Sequence, residues 1–215
     1  MKWPTMALCV AGLAAAASAA EEGFTPDPEK GWVQLFNGKD LSGWKFRGEN
    51  KTWEAQDGVL ANQRKRDGKK LRGVNIYTEQ KFKDFKLHIE FKVPKGGNSG
   101  VYLRGRKEIQ VHDSYGAKKP GSGHCGGIYS KKAPDVNASK PAGEWQTFDV
   151  TIVGETITVV HNGKTIHDGV EIQGHTGGSM GGEPGTPGPL MLQGDHSTVW
   201  YRNIWLKPLD EEGEK

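Results

Sequence analysis

The chain has 215 residues, and its 29 basic and 26 acidic side chains give a formal net charge of +3 at pH 7. This near balance argues against nucleic acid as a partner, because phosphate binding needs a concentrated basic face. The length is sufficient for a single all-β domain after removal of a short N-terminal signal.

The first twenty residues have the features of a secretory signal peptide. Lys2 supplies the positive end, residues 6–17 form an apolar run, and small residues at 17–20 form a cleavage site. The run is short and alanine-rich for a spanning helix, although a retained membrane anchor is the alternative. We predict a signal at residues 1–20, one domain over residues 21–215, and a secreted or periplasmic protein with no membrane partner after cleavage.

Hydrophobic residues then recur at alternate positions through much of the chain. From Phe85 to Val93 every second residue is apolar and the others are Lys, His or Glu, which is typical of a half-buried antiparallel strand. The Asn162-Gly163 dipeptide between two further alternating runs predicts a tight hairpin. No segment after residue 20 keeps a helical period, so about a dozen short strands predict an all-β sandwich or jelly roll.

Three segments between these strands have unusual composition. Residues 64–72 contain six basic residues around Asp67-Gly68, and we favour an exposed hairpin over a binding site there. Residues 114–143 and the glycine- and proline-rich residues 169–189 are long irregular loops. Loops of this length inside a compact domain are usually functional or disordered. If these two flank a concave sheet, they would form the rim of its binding cleft.

A polar strand face between these segments carries the candidate chemistry. Because side chains alternate along a strand, Glu108, Gln110 and His112 share one face, and Tyr102 and Arg104 share a face just before them. The alternative is an ordinary face exposed to water. However, a carboxylate, an amide, an imidazole, a guanidinium and a phenol together are suited to bind sugar hydroxyls and transfer a proton.

The spacing of the carboxylates does not favour a standard retaining glycosidase. Such an enzyme needs two carboxyl groups about 5 Å apart. Glu108 and Asp113 would lie about 16 Å apart on opposite faces of an unbroken strand. Gln110, at the neighbouring same-face position, cannot ionise, so a second carboxylate would have to come from elsewhere, with Asp195 as the candidate.

Metal and thiol chemistry have weaker signals. None of the seven histidines has zinc-like spacing. His88 is predicted on a solvent face, and His161, His167 and His175 are predicted near surface turns. A calcium ion supporting a loop stays open as a cofactor. Cys125 is left alone after signal removal, and a buried, inert thiol is favoured over a nucleophile.

The C-terminal segment adds two further candidates. Gln193 can share the polar face with Glu108 and Gln110 if their strands are neighbours, and we favour a functional role for Gln193 and His196. For Asn203, closure of a sheet edge by backbone hydrogen bonds is the favoured interpretation.

These motifs together resemble the 3-keto-disaccharide hydrolase family, formerly a domain of unknown function. The resemblance spans a core of about residues 31–209. Gln146 and Ser197 depart from the family's usual asparagine and glycine. The motifs that carry the resemblance are Gly31-Trp32, residues 35–44, Asn98-Ser99-Gly100, Arg104, Glu108, Gln110, Asp113, residues 127–129, Lys140-Pro141, Glu144-Trp145, residues 192–196 and residues 202–204.

The resemblance implies a concanavalin-A-like β-sandwich that acts on 3-keto-glycosides. A ketone at carbon 3 acidifies the hydrogen on carbon 2, so one base suffices and elimination followed by hydration gives net hydrolysis. We assign Glu108 as the base, Arg104 or a bound cation as the enolate stabiliser, and His196 as the acid. The predicted substrate-binding residues are Gln110, Gln193, Tyr129, Asp113, Tyr102, Asp195 and Arg202.

The expected partner is a carbohydrate substrate, supplied by an upstream sugar 3-dehydrogenase in the same pathway. The rival hypotheses are a lectin-like carbohydrate-binding protein without turnover and a structural surface protein. An ionisable base in the cleft favours the enzyme, since a lectin for neutral sugars has little need of one.

Overall fold

The computed structural model describes residue 24 and residues 26–209, so the predicted signal segment lies outside the described residues. This part of the chain forms one short 3-10 helix and fifteen β-strands. The 3-10 helix is Pro28–Lys30, and the strands are β1 (Val33–Gln34), β2 (Trp44–Phe46), β3 (Trp53–Gln56), β4 (Val59–Asn62), β5 (Lys65–Arg66), β6 (Lys69–Lys70), β7 (Ile76–Thr78), β8 (Phe85–Lys92), β9 (Asn98–Leu103), β10 (Lys107–His112), β11 (Gln146–Val153), β12 (Thr156–His161), β13 (Lys164–Glu171), β14 (Met191–Leu192) and β15 (Val199–Pro208).

Two antiparallel sheets make up the body of the molecule. The larger has the strand order β13-β12-β11-β8-β15-β4-β3, with β1 also paired to β15, and the smaller has the order β10-β9-β14-β7-β2. Apolar side chains from both sheets, such as Phe91 of β8 and Ile109 of β10, belong to one buried cluster. The prediction of an all-β sandwich of two antiparallel sheets is confirmed.

The alternating pattern of the central strand behaves as predicted on its apolar side only. Phe85, Leu87, Ile89 and Phe91 are fully buried in the core. The prediction that His88 faces solvent is wrong, because its side chain is also buried. Phe24 stacks on the imidazole at 3.9 Å, and Asp149 Oδ1 lies 2.6 Å from Nδ1.

Two other histidines were predicted at the surface and are buried. The His161 ring packs against Phe91 and Phe148, and its Nε2 lies 3.0 Å from Gln146 Oε1. Burial lowers the pKa of His161 to about 3, so the ring is neutral. His167 bonds through Nε2 to the Gly126 carbonyl at 2.8 Å. Both are core side chains with one polar partner, which turn spacing cannot reveal.

The predictions of an exposed hairpin within residues 64–72 and of a buried, inert thiol at Cys125 are confirmed. β5 and β6 form an exposed two-stranded hairpin around Asp67 and Gly68, both of which have positive φ. Cys125 is buried and free, and its burial raises the pKa of the thiol to about 12, which keeps it unreactive at neutral pH.

Across residue 24 and residues 26–209, no helix combines the length and the apolar character that crossing a membrane requires.

Candidate active site

The polar face predicted on the β9–β10 hairpin exists. Antiparallel pairing sets Glu108 opposite Tyr102 and Gln110 opposite Gly100, so these side chains leave the same side of the sheet. β14 pairs with the other edge of β9. Gln193 follows the end of β14, and its backbone N–H donates to the Gly100 carbonyl at 2.9 Å. Gln193 therefore joins Glu108 and Gln110 on the polar face, although β9 lies between its strand and β10.

The Glu108 carboxylate is the central group of this face. Glu108 is only 3% exposed, and its Oε2 accepts a hydrogen bond of 2.8 Å from the Tyr102 hydroxyl. A Cβ at Gly100 would lie 2.2 Å from Glu108 Oε1, so only glycine leaves space for the carboxylate there. The Asn98-Ser99-Gly100 motif thus creates the space that Glu108 occupies.

Burial makes this carboxylate a base suited to neutral pH. Loss of solvation raises the pKa of Glu108 to about 7, the Tyr102 hydrogen bond opposes the rise, and the Asp195 charge adds to it. The same burial, with the Glu108 charge, raises the pKa of Tyr102, so the phenol stays protonated. Glu108 can therefore take up and return a proton near pH 7.

Two glutamines beside this base have side-chain oxygens that can accept hydrogen bonds from a ligand. Gln110 Nε2 lies 3.3 Å from both Asn98 Oδ1 and the Gly123 carbonyl, and Gln193 Nε2 lies 3.5 Å from the Tyr102 hydroxyl. The amide oxygens of both glutamines are buried without a partner among the described residues. Buried acceptors of this kind need a donor, and a sugar hydroxyl provides one.

Both long loops contribute to the rim, as the sequence predicts. Tyr129 comes from the loop after β10, and Gly177 and Gly178 come from the loop after β13. The Gly177 carbonyl accepts a hydrogen bond of 2.9 Å from the Tyr102 hydroxyl. This bond holds the second loop against strand β9. A Cβ at Gly178 would approach that hydroxyl to 2.5 Å, so this contact also requires glycine.

Together these groups enclose a cavity of about 260 Å³. Asp195 and His196 lie at its wall, with His196 Nδ1 2.6 Å from Asp195 Oδ1, and both side chains are about half exposed. Of the predicted site residues, the cavity is lined by Glu108, Gln110, Tyr102, Tyr129, Gln193, Asp195 and His196.

Arg104 does not reach this cavity, which corrects its predicted place beside Glu108. β9 ends at Leu103, and Arg104 has a φ of 52° in the following turn, so the alternation that aligned it with Tyr102 stops there. Its buried guanidinium donates to Asp84 Oδ1 at 2.7 Å and to the Lys83 carbonyl. This geometry gives Arg104 a structural position.

Asp113 and Arg202, predicted to bind substrate, also lie outside the cavity. Asp113 follows the end of β10 and accepts a hydrogen bond of 2.9 Å from the Gly96 amide. Arg202 is on the other sheet, where it donates to Glu90 at 2.7 Å and stacks over Trp145 at 4.1 Å. Neither arrangement points to contact with a ligand bound at Glu108.

Two lining residues were absent from the predicted site. Asn98 belongs to the glycine motif, and its position opposite His112 on β10 could have indicated that it shares the polar face. Asn75 precedes β7, and its Oδ1 accepts a hydrogen bond of 3.0 Å from the Gly194 amide. No local pattern marks Asn75, because its contact joins segments more than a hundred residues apart.

A metal centre has no preformed cluster in the described part of the chain. No group of three or more His, Cys, Asp or Glu side chains within it is arranged to hold an ion. The calcium ion considered from the sequence stays a prediction.

Comparison with known proteins identifies relatives over nearly the whole chain. The 3-keto-alpha-glucoside-1,2-lyase-like domain matches residues 31–207. A 3-keto-disaccharide hydrolase from Bacteroides thetaiotaomicron is 23% identical over 235 residues, covering 86% of this chain and 81% of the relative.

Two crystal structures of candidate glycosyl hydrolases from Parabacteroides distasonis are also similar. One shares 31% identity with a TM-score of 0.68, covering 88% of this chain and 95% of that chain. The other shares 27% identity with a TM-score of 0.63, covering 83% and 99%. The family resemblance predicted from the motifs is confirmed.

Proposed function

The chain belongs to the 3-keto-alpha-glucoside-1,2-lyase-like family, and from this premise we propose that it cleaves glycosides whose sugar is already oxidised at carbon 3. The observation that carries the proposal is one buried carboxylate, Glu108, whose pKa is raised to about 7 and whose Oε2 accepts a hydrogen bond from the Tyr102 phenol. The other carboxylate of the cavity, Asp195, is half exposed and lies against His196. Proton abstraction next to a ketone needs such a single base.

The first half of the reaction is an elimination. Glu108 takes the proton from carbon 2, and the electrons of that bond form an enolate with its charge on the carbon-3 oxygen. The enolate then reforms the ketone, a double bond forms between carbons 1 and 2, and the glycosidic oxygen leaves carbon 1 with its electron pair.

Hydration completes a net hydrolysis. His196 gives a proton to the departing oxygen, and a water molecule then adds its hydroxyl to carbon 1 and its proton to His196. Glu108 returns the first proton to carbon 2, so both residues regain their starting states. Asp195 holds His196 through Nδ1 at 2.6 Å, which leaves Nε2 for the transfer.

Neutral hydrogen-bond donors take the place of the arginine first assigned to the enolate. Arg104 lies away from the cavity, whereas the amide groups of Asn98 and Asn75 and the Tyr129 hydroxyl line it. Donors fixed in a buried site stabilise developing oxyanion charge strongly, because they need little reorganisation during the reaction. The partnerless oxygens of Gln110 and Gln193 accept sugar hydroxyls.

The test is Glu108→Gln, assayed with a 3-keto-glucoside and with its unoxidised parent. Turnover of the oxidised sugar should fall by roughly a hundredfold or more, the usual contribution of a positioned base. Affinity should change much less, because the amide still contacts hydroxyls. The matched control is Glu29→Gln, an exposed residue of the 3-10 helix, which should keep full activity.

Two results would count against this proposal. Equal wild-type activity on both sugars, with Glu108→Gln fully active, contradicts the elimination. Binding of the sugar without any turnover by the wild type supports the lectin-like alternative.

Export and supply of the substrate complete the proposal. The signal-like segment at residues 1–20 supports a secreted or periplasmic location. Since the substrate must carry a carbon-3 ketone, a sugar 3-dehydrogenase acts before this enzyme. Mass spectrometry of the exported protein should find a mature N-terminus at Ala20 or Glu21, whereas retention of Met1 would contradict cleavage.

A further inference from the structure

A second cavity, lined by three arginines, adjoins the proposed active site. It has a volume of about 450 Å³, and its positive side chains are Arg47, Arg64 and Arg72. Its wall is continuous with that of the Glu108 cavity, because Asn75, Gly178 and Asp195 line both. A ligand held at Glu108 can therefore extend into it.

Arg64 is held in a defined place at this cavity. Its Nη1 donates to the Gly194 carbonyl at 3.0 Å, while its Nε is buried without a partner among the described residues. A Cβ at Gly73 would lie 2.5 Å from Nη1, so glycine there makes room for the guanidinium. A partly buried cation with an unused donor indicates that an acceptor is missing.

Arg47 and Arg72 add two exposed cations. The Arg47 guanidinium donates to the Gly178 carbonyl at 3.3 Å. In the described part of the chain, none of the three arginines has a carboxylate within ion-pair distance, whereas Arg104 pairs with Asp84 and Glu155 and Arg202 pairs with Glu90. Asp195 is the opposing charge at this wall, and it faces His196.

We propose that this cavity, the arginine subsite, binds an anionic group on the leaving portion of the glycoside. The inference rests on the proposed function and adds the substrate class, namely 3-keto-glycosides whose aglycone carries a carboxylate or another oxyanion. Guanidinium groups match planar or tetrahedral oxyanions through paired N–H donors. We assign the anionic group to the leaving portion because Asp195 lines both cavities and positions His196, which protonates the departing oxygen.

The experiment compares two 3-keto-glucosides with aglycones of similar shape. One carries 4-hydroxybenzoate and the other its neutral amide, 4-hydroxybenzamide. Wild-type kcat/KM should favour the carboxylate at least tenfold at low salt. Arg47→Gln and Arg72→Gln should each lower that preference about fivefold, the upper range for one exposed ion pair. Cleavage of the amide substrate should fall much less than cleavage of the carboxylate in both variants, because the amide carries no charge.

The matched control removes the same charge elsewhere. Lys164→Gln, at the exposed start of β13, should leave the preference unchanged. Raising the salt to about 0.5 M should reduce the wild-type preference, because counterions screen exposed pairs. Equal kcat/KM for the two aglycones, or a preference that survives both arginine changes, would overturn the arginine subsite while leaving the proposed function intact.

A binding measurement separates the two proposals if neither substrate is cleaved. Free 4-hydroxybenzoate should bind the wild type more tightly than 4-hydroxybenzamide does, in calorimetry at low salt, and Arg72→Gln should remove the difference. That result supports the arginine subsite even if the 3-keto-glycoside proposal fails. Equal binding of the two compounds contradicts it.

Discussion

Two adjacent residues at the turn of the β9–β10 hairpin, Lys107 and Glu108, bury charge in opposite ways. At the turn, Lys107 and Arg104 are each about 3% exposed, and both interact with Glu155. Lys107 also donates to the carbonyls of Ile172 and Gly174 at 2.7 and 2.8 Å. The next residue, Glu108, is equally buried, but its carboxylate is bonded to a neutral phenol and to no cation among the described residues.

The difference shows how one hairpin serves two purposes. Buried charges that face opposite charges stay ionised and hold the turn in place. A buried carboxylate without a cation has a raised pKa, which costs stability at neutral pH but provides a base. The turn therefore fixes the strand from which the reactive group projects.

The largest expected effect comes from breaking the buried ion pair between Lys107 and Glu155. Glu155→Gln leaves the Lys107 ammonium buried without its carboxylate, so the free energy of unfolding should fall by about 3–5 kcal/mol. Chemical denaturation measures this. The control is Asp135→Asn, which removes an exposed pair with Lys132 and should cost less than about 1 kcal/mol. Similar small losses in both variants would show that the buried pairing contributes little.

The second prediction tests the Glu108 carboxylate through the pH dependence of the free energy of unfolding. Because the pKa of Glu108 rises from 4.5 to about 7 on folding, the folded protein holds this proton more tightly than the unfolded chain. The resulting stabilisation is complete below pH 4.5 and is lost as the pH rises through 7. Between pH 4.5 and pH 8 the wild type should therefore lose on the order of 3 kcal/mol relative to Glu108→Gln. Parallel stability curves for the two proteins would contradict the raised pKa.

The third prediction follows the same group through activity. Since the base must be ionised, kcat/KM for a 3-keto-glucoside should rise about tenfold per pH unit below 7, and this rising limb should end near pH 7. Stopped assays across pH 5–9 measure the profile. A profile that is already level at pH 5 would mean that the catalytic base has an ordinary carboxylate pKa.

The smallest expected effect concerns the Tyr102 phenol, which is hydrogen-bonded to Glu108. The Tyr102 hydrogen bond lowers the pKa of Glu108, so Tyr102→Phe should move the rising limb of the profile to higher pH. Activity at pH 7 should fall a few-fold and recover as the pH increases. Tyr115→Phe, at an exposed tyrosine, is the control and should not move the profile. An unchanged profile in Tyr102→Phe would assign the phenol to packing alone.

Much of the fold and the centre of the site follow from local patterns. Alternation placed Glu108 and Gln110 on one face, and the Asn162-Gly163 turn joins β12 to β13 as predicted. Arg104 was misplaced because a strand ends one residue earlier than alternation implies, and its partner Asp84 is distant in sequence. His88 was misplaced because Phe24, far along the chain, covers its ring. In both cases long-range contacts decided the outcome.

The space above Gly100 suggests a rule for sorting related sequences. The position carries no functional group, yet a methyl group there would occupy the place of the Glu108 carboxylate. A homologue with a larger residue at this position cannot hold a carboxylate in the same pose, even if its glutamate is retained. Glycine at this site, read together with the glutamate, therefore distinguishes chains equipped for proton abstraction from those that keep only the sugar-binding scaffold.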